Sequence, residues 1–175
     1  MTLVNAVHVS TGIVMSGDSR TSGNGFIVSD STNKVFLLFN RIGVVTAGQA
    51  YINSRPIEHY INTFEILYED SDEASVHEIT YKLLEYFKET SSDSNLYLMV
   101  SGYDGNEPYL YDFNTLEGYG IRRLNVTDQG ELSYGLIWNG EIEVVSRLTS
   151  SSEFVPLFDT MNLQDAIDYS RHLIR

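Results

Sequence analysis

Cysteine does not occur anywhere in the 175 residues. Disulfides, thiolate nucleophiles and cysteine-ligated metals are thereby excluded. Positive charge is scarce: 11 Lys and Arg stand against 24 Asp and Glu, a formal net charge of −13. Nucleic-acid binding needs clustered cations to neutralise phosphates, and these are scattered. No nucleic-acid partner is expected, and the same deficit disfavours anionic membranes. Long apolar runs are missing too. A bilayer span needs about 18 apolar residues, whereas stretches such as Val35-Phe36-Leu37-Leu38-Phe39 have only strand length. No basic region followed by an apolar core opens the chain, so no signal peptide is expected. Hydrophobic residues at 42% and charged residues at 20% give a globular profile, enough for one domain over residues 1–175 with a substantial core. The expectation is a soluble, cytoplasmic protein.

Strand-like material comes first. Thr2–Val9 is rich in β-branched and apolar residues, Thr11-Gly12 reads as a turn, and Ile13–Ser16 continues as a second strand into Gly17-Asp18-Ser19-Arg20. Ser22-Gly23-Asn24-Gly25 reads as a loop, and Lys34–Phe39 and Ile42–Ala47 as two more strands. The middle is helical. Pro56 suits a first helical turn, and Ile57, Tyr60, Ile61, Phe64 and Leu67 follow helical spacing, as do Val76, Ile79, Leu83, Leu84 and Phe87. Strands return at Leu96–Val100 and Tyr109–Phe113, joined through Tyr103-Asp104-Gly105-Asn106. Tyr119–Leu124 and Leu132–Ile137 are weaker strands, Gly140–Leu148 fits strand or helix, and Leu163, Ala166, Ile167 and Ser170 begin a last amphipathic helix. Strands, two helices, strands and a helix suit a layered α+β arrangement.

Several sites fall away. His8, His59, His77 and His172 are widely spaced, and His77-Glu78 lacks a second zincin histidine because Tyr81 stands there. No metal site is expected. Asp70, Asp72 and Glu73 read as a solvated acidic loop, and no glycine-rich phosphate loop is present, so no cofactor is expected. Asn125-Val126-Thr127 is a glycosylation sequon without meaning in the cytoplasm.

Met1-Thr2 carries more chemistry. A small second residue permits removal of the initiator methionine, which would leave Thr2 with a free α-amine beside its hydroxyl. A threonine hydroxyl needs a base to become a nucleophile. An α-amine, which ordinarily titrates at ~7.7–8.0, can be that base without a histidine. Asp18 and Lys34 follow at equal intervals, each at a strand end. If the strands lie side by side the two converge on Thr2, where an ammonium would bias the amine towards its neutral form and a carboxylate would hold the ammonium.

Thr2-Leu3-Val4, Gly12-Ile13-Val14-Met15-Ser16-Gly17-Asp18-Ser19-Arg20, Asn33-Lys34-Val35 and Thr46-Ala47-Gly48 together resemble the proteasome β-subunit family and its bacterial relatives. The resemblance covers the first 50 residues and the helix pair that follows. It implies an α+β fold of four layers, αββα, with two antiparallel sheets flanked by helices: the N-terminal nucleophile hydrolase sandwich. It implies Thr2 as nucleophile and base, Asp18 and Lys34 tuning it, and the Gly48 N–H as oxyanion donor. The family's pocket for the side chain before the cut maps to Thr21, Thr32, Phe36, Thr46, Ala50 and Ser54, a lining that suits an uncharged, medium-sized group. The implied function is a threonine-type peptidase or amide hydrolase acting as a homo-oligomer on peptide or other amide substrates. The alternatives are a non-catalytic assembly protein that retains the fold, or an amide-transferring relative. Two departures stand out. The family's late glycine-flanked loop carries a serine, whereas Trp138-Asn139-Gly140-Glu141 has none. The family also continues past its last long helix with an aspartate, a serine and two further strands, for which no residues remain before Arg175. The expectation is that either the sequence is a piece of a longer chain or these final strands are missing.

Overall fold

The computed structural model describes residues 2–23, 26–91, 93–116, 120–140, 142–149 and 156–174. The first two strands, β1 (Leu3–Val9) and β2 (Gly12–Gly17), form a hairpin in which Val4 faces Gly17 and Val9 faces Gly12. A late strand, β12 (Gly135–Gly140), joins β1 on its other side, with Leu3 opposite Gly140. The resulting sheet has the order β12-β1-β2. The second sheet contains β5 (Val35–Leu38), β6 (Ile42–Gly48), β9 (Leu96–Asp104), β10 (Glu107–Asn114) and β11 (Arg122–Arg123), in the order β11-β10-β9-β6-β5 and antiparallel throughout. Two small hairpins, β3 (Thr21–Gly23) with β4 (Phe26–Ser29) and β7 (Tyr51–Ile52) with β8 (Arg55–Pro56), stand apart from both sheets.

The helices α1 (Ile57–Leu67) and α2 (Val76–Thr90) cover the outer face of the larger sheet. Ile57, Ile61 and Phe64 from α1, with Ile79, Leu83 and Phe87 from α2, meet Leu38, Val44, Leu98 and Val100 from the strands. Each such buried side chain contributes about 1.5–3 kcal/mol relative to exposure. Helix α4 (Leu163–Ile174) and helix α3 (Ile142–Thr149) cover the smaller sheet. Strand β1 is buried on both faces and its residues divide by parity. Val4 and Ala6 meet Val45, Ala47, Met99 and Leu110 between the sheets, while Leu3, Val7 and Val9 meet Val145, Ala166 and Leu173 from the helices. The molecule is therefore an α+β sandwich of two antiparallel sheets between helical layers.

Local chemistry explains the boundaries. Helix α2 begins at Ser75, whose Oγ accepts from Glu78 N, and the Asp104 carboxylate accepts from Val76 N at 3.0 and 3.2 Å. Pro56 is the N-cap of α1, at φ −65° and ψ 151°, rather than part of its first turn. An extended ψ carries the chain out of β8, and the ring removes a donor that a helix start would leave unpaired.

The structure also changes or settles several local expectations. Ser22-Gly23 belong to a strand of the β3–β4 hairpin, while Asn24 and Gly25 lie outside the described residues. Of Tyr119–Leu124 only Arg122–Arg123 pairs as a strand, and Tyr119 is not among the described residues. Gly140 closes β12, and Ile142–Thr149 is helical, which resolves the ambiguous stretch. Trp138-Asn139-Gly140 is not a loop: it is the end of β12 beside β1, and Glu141 lies outside the described residues. Pairing with β1 supplies the backbone partners that a loop reading of this glycine-containing segment ignored.

Candidate active site

Four chain segments meet where β1 begins. Leu3 N donates to Asp18 Oδ1 at 2.8 Å, and Asp18 N donates to Leu3 O at 2.9 Å. This reciprocal pair extends the β1–β2 hairpin by one residue and ties the first strand to the segment after β2. Lys34 lies just before β5 and is 6% exposed. Its Nζ donates to Asp18 Oδ1 at 2.8 Å, to Arg20 O at 2.6 Å and to Thr2 Oγ1 at 3.3 Å. The three ammonium protons thus have three acceptors, as a nearly buried cation requires. Thr46 N donates to Lys34 O at 3.0 Å and fixes the backbone beneath the ammonium.

Gly48 ends β6 at φ +99°. A Cβ there would lie 2.3 Å from Asn95 O, so both the backbone angle and the close approach exclude larger residues. Gly140, at φ +114°, is more constrained still: a Cβ would lie 1.7 Å from Thr2 O. The end of β12 therefore forms a bare backbone wall against the carbonyl of Thr2.

A cleft of about 250 Å³, open mouth included, lies beside these residues. Thr21, Thr32, Thr46 and Ala50 line it with Thr2 and Lys34. Gly48, Ala47, Gln49 and Ile57 complete the lining. Two of the expected lining residues are elsewhere. Phe36 packs into the core under α1 and α2, because β5 alternation turns it inward with Leu38. Ser54 occupies the turn between β7 and β8 at φ +64°, exposed to solvent. Sequence reasoning missed the Arg20 carbonyl, which carries no side-chain signal, and Ile57, whose helical spacing points only to a core role. Ile57 N donates to Ala50 O at 2.9 Å, which brings the start of α1 to the cleft wall.

Among proteins of known family, the proteasome subunit profile matches residues 2–119, more than half of the chain. The chain belongs to the proteasome subunit family. It is also similar to proteasome subunit beta 2 of Korarchaeum cryptofilum, at 32% identity over 108 residues, which cover 57% of this chain and 52% of that relative. The chain thus spans about half the length of the curated relative it matches. The matched family region includes Thr2, Asp18, Lys34 and Gly48. It ends before β12, which seats Thr2. Chemically, the cluster joins a hydroxyl, a buried ammonium held by a carboxylate, and a strand end at Gly48 whose N–H borders the same cleft. No helix among the described residues is long and apolar enough to cross a membrane.

Proposed function

We propose that this chain is a threonine-type amide or peptide hydrolase whose nucleophile is Thr2 after loss of Met1. The observation that carries the reading is the contact of Lys34 Nζ with both Thr2 Oγ1, at 3.3 Å, and Asp18 Oδ1, at 2.8 Å. Removal of Met1 converts the Thr2 peptide nitrogen into a free amine. That amine takes the Thr2 hydroxyl proton as Oγ1 attacks the substrate carbonyl, and the Lys34 ammonium stabilises the developing negative charge on Oγ1. The Gly48 N–H is directed at the oxyanion, a kind of donor worth ~10²–10³ in rate. The C–N bond then breaks, the departing amine carries away the proton, and an ester on Thr2 remains. Water, deprotonated by the same amine, releases the acid and regenerates the hydroxyl. The proposal extends to a cytoplasmic homo-oligomer acting on peptide or other amide substrates.

Intact mass should show loss of Met1. An electrophilic threonine-directed probe should add once, at Thr2, as mapped by mass spectrometry. Thr2→Ala should abolish both labelling and turnover of fluorogenic peptides. Lys34→Ala should cost nearly as much, because the two groups act as a unit. Thr2→Ser should retain part of the activity. Full activity in Thr2→Ala, or an adduct elsewhere, rejects the mechanism.

One observation favours a second reading, a non-catalytic assembly protein of the same fold. No serine occurs in Trp138–Glu141, where the family resemblance leads one to look for it. A mature N-terminus that no probe labels, in a chain that light scattering finds oligomeric, supports that reading over the first.

A further inference from the structure

The walls of the cleft are built from hydroxyl groups, and their hydrogen bonding is only partly satisfied. Thr21 Oγ1 donates to Thr32 Oγ1 at 2.8 Å, which leaves the Thr32 proton to point elsewhere and the Thr21 oxygen able to accept. Thr46 lies on the face of β6 that looks towards α1 and is 4% exposed, yet its hydroxyl has no hydrogen-bond partner among the described residues. Ala50 and Ile57 supply the apolar part of the lining, and Ile57 is 2% exposed. The cleft is open at its mouth and borders Thr2, so one side chain of a segment lying against Thr2 can approach its lining.

We infer that this cleft selects a carboxamide side chain, that of glutamine or asparagine, immediately before the bond that is cut; the position of that bond rests on the proposed role of Thr2. A carboxamide presents two donors and one carbonyl acceptor on one neutral group. Its N–H groups match the Thr21 and Thr46 oxygens, and its carbonyl matches the protons of Thr32 or Thr46. Each competing class leaves something unmet. A carboxylate offers only acceptors, and the one cation at the cleft, Lys34, already gives its three protons to Asp18, Arg20 and Thr2. A lysine or arginine side chain finds no carboxylate among the cleft-lining residues. A long apolar side chain would strip water from three hydroxyls and return no hydrogen bond, the arrangement by which polar sites reject apolar analogues. Thr46 thus acts as a specificity-determining residue, through its hydroxyl.

Binding can be measured without turnover. Dye-labelled tetrapeptides Ala-Ala-Ala-X, with X as Gln, Met or Glu, are titrated by fluorescence polarisation against the Thr2→Ala protein. Met matches Gln in length without polarity, and Glu matches it in shape but carries charge. The Gln peptide should bind about tenfold more tightly than either. In Thr2→Ala carrying Thr46→Val or Thr32→Val, both of which keep shape but lose the hydroxyl, that preference should fall to within about twofold. Equal or tighter binding of the Met or Glu peptide overturns the inference, as does a Gln preference that survives both valine changes. Failure of all three peptides to bind at millimolar concentration also overturns it. If the valine variants do not fold, the three-peptide ranking in Thr2→Ala decides alone. Probe labelling of the unaltered chain reports on Thr2 separately. Labelling without a Gln preference removes only this inference, whereas a Gln preference without labelling removes only the proposed nucleophile.

Discussion

Glycine at position 48 is the clearest case of a residue whose identity follows from position. Both the left-handed backbone angle and the carbonyl of Asn95 oppose a side chain. Gly48→Ala should destabilise the protein by about 1–3 kcal/mol, read from urea midpoints. It should also lower the rate of Thr2 labelling, because relief of the clash must move the strand end that offers the N–H. Histidine 8 makes a different kind of prediction. It is buried on β1, with its Nδ1 2.7 Å from Ser133 O and its ring 4.9 Å from that of Tyr134. Burial lowers its pKa below the usual 6.5; the Ser133 hydrogen bond opposes the shift, and the charge of Arg123 adds to it. Between the folded value and 6.5 the unfolded chain holds more protons, so stability rises with pH across that interval. The contribution is complete above about 6.5 and is lost as pH falls below it. Urea midpoints at pH 7.5 and 5.0 should therefore differ more for the unaltered protein than for His8→Gln. An equal difference in both would rule out His8 as the source.

At the scale of elements, the helix pair was legible because periodicity reports burial: Ile57, Ile61 and Phe64 reach the core and Tyr60 packs against it, whereas Leu67, at the last residue of α1, is exposed despite its helical spacing. Strands β1, β2, β5, β6, β9 and β10 were legible for the same reason. The β3–β4 hairpin was not, because Phe26, Ile27 and Val28 are exposed and Ser22-Gly23 carries turn chemistry rather than strand alternation. The end of β12 was matched to a loop by resemblance alone, and only the pairing with β1 makes it a strand. The same limit governed the site. The spacing of Thr2, Asp18 and Lys34 points to one cluster, whereas Phe36 and Ser54 were carried over by resemblance, and local alternation and a β-turn took them elsewhere. A further test belongs here. Asp104 sits at the end of β9 yet caps α2 through Val76 N. Asp104→Ala should cost about 1 kcal/mol, measured by thermal or chemical unfolding, with no change in the β9–β10 register. A neutral result would show that Ser75 alone suffices as the cap.

Over the whole molecule, two sheets of unequal width face each other, three strands against five. Met15 of β2 lies over Gly43 of β6, where a Cβ would come within 2.9 Å of its sulfur. Beyond that line, Val35 and Leu37 of the edge strand β5 are exposed. Exposed apolar side chains on an edge strand favour association. Light scattering at micromolar concentration should therefore give more than one chain per particle, and replacement of Leu37 by Lys should shift the distribution towards the monomer. A monomer before the change would contradict the expectation.

The wall that Gly140 presents to Thr2 also has a consequence in time. Strands β1 and β12 lie far apart along the chain, with Leu3 opposite Gly140, and contacts between distant segments form late because loop closure must come first. The carbonyl of Thr2 therefore has no seat until most of the chain has been made and folded. A threonine with a free amine on a nascent or half-folded chain would be chemically ordinary, and reactivity would appear only with the last strand to pair. In a refolding experiment, labelling of Thr2 should lag behind the recovery of helical signal from α1 and α2. The timing of assembly would then protect the cell from a nucleophile switched on too soon.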